Sequence, residues 1–268
     1  MTGKLASRMT ALVLTAMTLP AVVHAQDGTE EPQGAWRTRI GAGPQFVPRF
    51  PGSGDMVVRP FIDLSRARGD TPFEFEAADE SAGLPLLRQQ GFDFGPALTF
   101  EGARRTRDVP GVPRVGFTVE AGGFLEYKFA KPLRARLEVR QGIGGHEGLV
   151  GMASVDYIAR DRDEWLFAIG PRLSFSDGGY QRAYFGVPAE ATAASGLPAF
   201  RPDGGLHAVG GTVTFLKQLN RHWGISTYGK YDRLIQDAGR SPIVERFDSQ
   251  DQWSGGVMLT YTFGAAND

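Results

Sequence analysis

Large apolar side chains recur at every second position along most of this chain. In the stretch QWSGGVMLTYTF near the C-terminus, Trp253, Val257, Leu259, Tyr261 and Phe263 share one face, while mostly small or polar residues occupy the other. A repeat of two residues indicates a β-strand, because successive side chains of a strand point to opposite faces. The pattern predicts an all-β fold.

The two faces of these segments differ in composition. One is apolar, and the other is rich in glycine and in charges of both signs. Strands of about ten residues with this character are typical of transmembrane β-barrels, and a soluble β-sandwich is the alternative. Barrels concentrate aromatic residues at the membrane interfaces, and all four tryptophans begin candidate strands: Trp36, Trp165, Trp223 and Trp253. We predict a transmembrane antiparallel up-and-down β-barrel, in which pairing of the last strand with the first leaves no free edge.

The number of strands follows from the alternating segments. We count eleven, at residues 36–46, 56–66, 71–79, 91–102, 114–129, 132–141, 148–160, 164–176, 206–218, 222–234 and 252–263. Bacterial barrels of one chain usually have an even number of strands, with both chain ends in the periplasm. One strand is therefore missed or over-counted between residues 67 and 113. Twelve strands are predicted, with ten as the alternative.

The N-terminal residues have the features of an export signal. Lys4 and Arg8 precede an apolar run from Ala11 to Val23, and small residues end at Ala25. This order is typical of a secretory signal peptide. We expect cleavage between Ala25 and Gln26, which divides the chain into a signal peptide at 1–25 and a barrel domain at 26–268.

The predicted topology places the connections on two sides of a membrane. Counting back from a periplasmic C-terminus, the short connections near residues 131–132, 160–163 and 220–222 face the periplasm. The long segments 177–205 and 235–251 face outward. Short inner turns and long outer loops are the usual arrangement in outer-membrane barrels.

Charged residues on the polar faces are expected to meet inside the barrel. Paired carboxylates there could act as a general acid and base, but arginines on neighbouring strands favour mutual neutralisation. The predicted lumenal charge network consists of Arg37, Arg39, Glu74, Glu76, Glu120, Glu126, Arg134, Arg136, Glu138 and Arg140.

Other chemistry has little support in the sequence. The chain has no cysteine, and its serines lack a GxSxG elbow. His146, His207 and His222 lie on separate segments without close metal-ligand spacing, so we expect surface or loop positions. The glycine-rich stretch at 142–148 precedes no helix, which favours a barrel turn over a phosphate site. We predict no enzyme activity, no cofactor and no metal.

Net charge argues against a nucleic-acid partner. Removing Lys4 and Arg8 from the 29 basic residues leaves 27 against 30 acidic ones, a net charge near −3. Binding to nucleic acid depends mainly on positive charge that neutralises phosphates. We therefore expect no nucleic acid among the partners.

Several motifs carry a family resemblance. The long outward segment contains Tyr184-Phe185-Gly186-Val187 and Ser195-Gly196-Leu197-Pro198-Ala199-Phe200, and further matches are Gly41-Ala42-Gly43, Gly170-Pro171-Arg172-Leu173 and Ser241-Pro242-Ile243-Val244-Glu245. Together they resemble the pattern of the MipA/OmpV family. The resemblance implies an outer-membrane β-barrel of Gram-negative bacteria, in contact with outer-membrane lipid. The tail after Phe263 departs from the usual end on an aromatic residue.

Membership also implies candidate functions. Some members are scaffolds that join a membrane-bound lytic transglycosylase to a peptidoglycan synthase, and others are adhesins or envelope-stress proteins. We therefore expect a non-enzymatic scaffold linked to peptidoglycan remodelling, with a small-solute channel or a surface adhesin as alternatives.

The long outward segment has two interpretations. In the structural one, it folds over the barrel mouth, where Tyr184 and Phe185 pack on the rim and Gly186 and Gly196 form turns. In the functional one, its aromatic residues form an exposed binding patch.

Overall fold

The computed structural model describes residues 34–129, 132–247 and 249–264. The predicted signal peptide and its cleavage site at Ala25–Gln26 lie outside these ranges. The strands are β1 Trp36–Pro48, β2 Met56–Arg68, β3 Ala82–Gly83, β4 Leu87–Gln89, β5 Phe92–Glu101, β6 Thr118–Lys128, β7 Leu133–Ile143, β8 Leu149–Asp161, β9 Trp165–Ser176, β10 Gly205–Gln218, β11 Trp223–Leu234 and β12 Asp251–Phe263.

Short helices occur only in the outward connections of the described chain. They are α1 Gly178–Phe185, α2 Thr192–Ser195, α3 Gln236–Gly239 and α4 Pro242–Phe247, with a 3₁₀ turn at Ala189–Ala191. Within the described ranges, every helix is too short to cross a bilayer.

The twelve strands form one antiparallel sheet that curves into a barrel wall. Its order is β2-β1-β12-β11-β10-β9-β8-β7-β6-β5-β3, and β4 also pairs with β5. Sequence neighbours pair from β5 to β12, and Thr38 of β1 lies opposite Phe263 of β12. The predicted twelve-stranded up-and-down barrel and its pairing of first with last strand are confirmed. Ten strands have 10–14 residues, whereas β3 and β4 are short.

The expectation that closure of the barrel leaves no free strand edge is wrong. The strand order ends at β2 on one side and at β3 on the other, and within the described ranges no ladder joins them. Residues 82–89, which contain β3 and β4 and pair with β5, form a strand interrupted around Pro85, which has no backbone N–H to donate to a ladder. The wall therefore keeps a free edge along β2.

The expectation of a strand at 71–79 is also wrong. Residues 71–81, here called the lumenal segment, run through the barrel interior without strand pairing. They turn where Glu80 N donates to Ala77 O at 3.0 Å. Phe73 lies under the guanidinium of Arg39 at 4.6 Å, and Phe75 lies under that of Arg134, also at 4.6 Å. Contacts with inward side chains therefore replace the pairing that its alternating sequence suggested.

The outer face of the wall is apolar. Ile62 and Leu64 of β2 are 71% and 66% exposed, and the pattern continues around the barrel. Trp36, Trp165 and Trp223 start their strands at the periplasmic end, as an interfacial girdle requires. An exposed apolar surface of this extent fits a lipid environment.

Phe124 is a large apolar side chain on the inward, otherwise small or charged face of β6, and the structure explains its position. Its ring lies inside the barrel, only 3% exposed. A Cβ added at Gly83 or Gly95 would lie 2.7 or 3.0 Å from the ring, and Arg136 covers it at 3.8 Å. The two glycines make the space that this inward ring occupies.

Leu137, in the middle of the outward face of β7, tests the lipid assignment. Leu137→Arg is expected to lower the free energy of unfolding by about 2–4 kcal/mol, because it places a charge near the bilayer midplane. Leu219→Arg, in the periplasmic turn after β10, is the matched control and should cost about 0–1 kcal/mol. Urea titration in lipid vesicles measures both, and equal costs would contradict a lipid-facing outer surface.

Candidate functional site

The centre of the lumen is held by ion pairs around Arg134. Its guanidinium lies 3.2 Å from Glu126 and 2.8 Å from Asp156, and it also pairs with Glu80 of the lumenal segment. All four side chains are at least nine-tenths buried. Buried charges of this kind are stable only when they are paired and hydrogen-bonded.

A second group of pairs extends from this centre toward the outer end. Arg136 lies 2.7 Å from Glu138, and Arg140 lies 2.9 Å from Glu120. Glu138 also accepts from the hydroxyl of Ser81 at 2.9 Å. Both Glu80 and Ser81 therefore link the lumenal segment to the wall.

Four residues of the predicted network lie apart from this centre. Arg37 pairs with Asp163 at the periplasmic end, and Arg39 lies 3.7 Å from Asp63. Glu74 forms an exposed pair with Arg88. Glu76 is exposed and lines a small cavity of about 40 Å³ instead of joining the central ion pairs.

The structure adds members that the sequence prediction missed. Asp79 lies 3.0 Å from Arg172 and 3.2 Å from Lys230, and Arg172 lies 2.9 Å from Asp156. The three wall residues occupy inward positions of their strands, so the alternation could have identified them. The alternation could not identify Asp79, because it predicts residues 71–79 as a strand of the wall.

Arg134→Met tests how far the barrel depends on the central pairs. Removing the guanidinium leaves Glu80, Glu126 and Asp156 buried with less compensation, and we expect a loss of about 3–5 kcal/mol in unfolding free energy. The matched control is Arg88→Met, which breaks an exposed ion pair and should cost at most about 1 kcal/mol. Similar losses for the two variants in a denaturant titration would contradict a central role for Arg134.

The outer mouth is covered by a compact layer of loops. This layer, the outer cap, consists of residues 49–55, 102–117, 177–204 and 235–250, without the undescribed residue 248. It encloses an apolar cluster in which Tyr184 and Phe185 are fully buried against residues such as Phe50, Val112 and Ile243. Packing of this kind corresponds to the structural interpretation of the long outward segment.

Hydrogen bonds fix the backbone of that motif. Arg104 Nη1 donates to Tyr184 O at 2.6 Å, and Ser241 Oγ donates to Phe185 O at 2.7 Å. Val187 and Phe200 pair through an isolated antiparallel β-bridge. Burial raises the pKa of Tyr180 well above its ordinary value, so this phenol stays neutral in the cap.

The second half of the motif closes the same layer. Gly196 ends α2 with a φ of 67°, a left-handed conformation that favours glycine. Leu197 is buried behind it, whereas Pro198 stays exposed. Ser195 Oγ donates to Ala191 O at 2.7 Å and steadies the turn.

Phe185→Ala measures the contribution of the outer cap. The substitution removes a fully buried ring and should cost about 3–5 kcal/mol. Phe247→Ala, at a residue of α4 that is 38% exposed, is the control and should cost about 0.5 kcal/mol or less. Thermal and denaturant unfolding report the difference, and a negligible effect of Phe185→Ala would show that the cap does not stabilise the barrel.

The expectation that the histidines lie at the surface or in loops is confirmed for two of the three. His222 is exposed, and His146 lies in a loop but is buried. His207 is buried in β10, which corrects the prediction. Each buried ring has a polar partner, since His146 Nε2 lies 3.0 Å from Glu120 and His207 Nδ1 lies 3.0 Å from Ser176 Oγ. The described ranges hold no cluster of three potential metal ligands of the His, Cys, Asp or Glu type.

Two cavities lie at opposite ends of the filled centre. The lumenal chamber, of about 310 Å³, lies below the outer cap and is lined by residues that include Phe50, Tyr180, Glu101 and Lys230. The periplasmic cleft, of about 250 Å³, is open at the other end and is lined by residues that include Asp70, Glu164 and Arg221.

An apolar wall of twelve antiparallel strands around a charged interior defines an outer-membrane β-barrel. The chain belongs to the MipA family, whose pattern, described as "MltA-interacting protein MipA", matches residues 40–263. The family resemblance and the outer-membrane location inferred from the motifs are thereby confirmed. A comparison with curated proteins finds no match.

Two solved structures align with most of this chain. The outer membrane protein OprG from Pseudomonas aeruginosa has 10% identity and a TM-score of 0.28, with 86% of this chain and 96% of that chain covered. A bacterial polysaccharide outer membrane secretin has 9% identity and a TM-score of 0.32, with 85% and 97% covered. Because both TM-scores are low, the fold assignment rests on the sheet itself.

Proposed function

We propose that this barrel is a non-enzymatic scaffold of the cell envelope, which presents its periplasmic end to peptidoglycan-remodelling enzymes. The partners proposed are a membrane-bound lytic transglycosylase and a peptidoglycan synthase. The family description names an MltA-interacting protein, and we propose an interaction of the same kind for this chain.

The observation that carries the proposal is the filled centre of the lumen. The lumenal segment and the ion pairs of Arg134 and Arg136 separate the lumenal chamber from the periplasmic cleft. The outer cap adds a second layer across the mouth. A barrel with two such layers is suited to act as a rigid platform more than as an open pore.

The periplasmic cleft offers a surface on which a partner can dock. Arg37 pairs with Asp163 at 2.9 Å, and Asp163 also accepts from the backbone N–H of Phe73 at 2.9 Å. These bonds fix the floor of the cleft. Glu164 and Arg221 are exposed at its rim, where charged residues steer association and select partners.

Charge reversal at this rim tests the proposal. The double variant Glu164→Lys with Arg221→Glu preserves net charge but inverts its local pattern. We expect capture of a lytic transglycosylase from solubilised envelope to fall at least about tenfold, since complementary charges set encounter and register. Affinity purification read by quantitative mass spectrometry measures the loss.

The matched control lies on the outer side of the membrane. Glu190→Lys with Arg201→Glu makes the same exchange in the outer cap at exposed positions, and capture should be unchanged. Loss of capture with this control alone would place the partner surface outside the cell and favour an adhesin. Unchanged capture with both variants, together with steady conductance in planar bilayers, would favour a small-solute channel.

A further inference from the structure

The barrel wall is interrupted between β2 and β5. Within the described residues, the free edge of β2 has no strand partner, and β5 beyond Leu98 pairs only with β6. Near the outer end of this gap, a Cβ built on Gly102 would lie 2.3 Å from Arg59 Nη2. The side chain of Arg59 therefore closes the outer end of the gap.

The lumenal chamber extends to the gap, since Arg59 of β2 and Phe100 of β5 both line it. Its lining includes inward residues such as Lys230 and Asp232, and also Phe100, an outward residue of β5 that is 58% exposed. The outer cap lies above the chamber, and the central ion pairs lie below it. A route through the gap would lead from the bilayer to this charged interior.

The charges of the chamber favour a cation. Four carboxylates and three basic side chains line it, which leaves one negative charge in excess. Lys230 is shared between Asp79 at 3.2 Å and Asp232 at 3.0 Å. The contact with Asp232 is made to its Oδ2 oxygen.

Two carboxylates retain unused acceptor capacity. Oδ1 of Asp232 is buried and accepts no hydrogen bond from the described residues. Glu101 accepts from the backbone N–H of Gly102 at 2.7 Å, and no ion pair of Glu101 occurs in the described part of the chain. A buried acceptor without a donor is costly, and an ammonium group would supply up to three donors.

We propose that the gap between β2 and β5 is a lateral portal, through which a small amphipathic amine passes from the bilayer into the lumenal chamber. The ammonium group binds Asp232 and Glu101, and the apolar tail extends past Phe100 into lipid. A volume of about 310 Å³ lies at the lower end of ligand pockets, which span about 300–1,000 Å³. It suits a polar head and part of a short chain.

Octylammonium, octanol and octyl sulfate are matched probes that differ in the head group. Isothermal titration of the full barrel in nanodiscs should show saturable binding of octylammonium at about one site. Octanol and octyl sulfate should bind at least about tenfold more weakly, because neither supplies a positive charge to the carboxylates. Equal or tighter binding of octyl sulfate, or no saturable binding of octylammonium, would overturn the proposal.

Variants locate the site within the molecule. Asp232→Asn with Glu101→Gln should weaken octylammonium binding at least about tenfold, whereas Asp161→Asn, at an exposed periplasmic position, should leave it unchanged. Retained heat-modifiable migration on a gel checks that each variant is folded. Undiminished binding by the folded double variant would refute the assignment of the ammonium site.

The route is tested by kinetics. Arg59→Ala removes the side chain at the outer end of the gap and should speed association several-fold in stopped-flow measurements. Arg66→Ala, on the outward face of the same strand near Trp36, is the control and should not change the rate. Equal rates for the two variants, or a stable dimer in sedimentation that pairs the β2 edges of two copies, would contradict a portal at this position.

Discussion

Pairing of buried charges is the constraint on which the rest of this barrel depends. Inward arginines such as Arg134 cannot remain unpaired in an interior of low dielectric. The wall supplies part of the compensation through Glu126 and Asp156. The remainder comes from Glu80, which belongs to no strand. The charge requirement of the wall therefore holds the lumenal segment inside the barrel.

This arrangement also explains the gap in the wall. Residues 71–81 leave the wall to enter the lumen, and only residues 82–89 return to it, as the interrupted pieces β3 and β4. The chain between β2 and β5 is thus divided between two tasks. Since it contributes charges to the interior, it does not complete a full strand beside β2.

The sequence predicted the parts of the structure that repeat. The period of two located the ten long strands, because each has one face toward lipid and one toward the lumen. It placed Glu126, Arg134 and Arg136 together, because their inward positions are neighbours in the sheet. The same pattern wrongly predicted a strand at 71–79, where Phe73 and Phe75 alternate with Glu74 and Glu76. There the aromatic rings cover inward guanidinium groups instead of facing lipid, a contact that depends on tertiary structure.

The lumenal segment also has a consequence for the order of assembly. Its carboxylates Asp79 and Glu80 would have to cross lipid to enter a finished wall from the side, and the outer cap closes the mouth from above. Entry is therefore easiest while the sheet is still open, before β1 meets β12, which lie more than 200 residues apart in the chain. We therefore expect the charged side chains of the interior to pair before the seam between β1 and β12 closes around the lumenal segment.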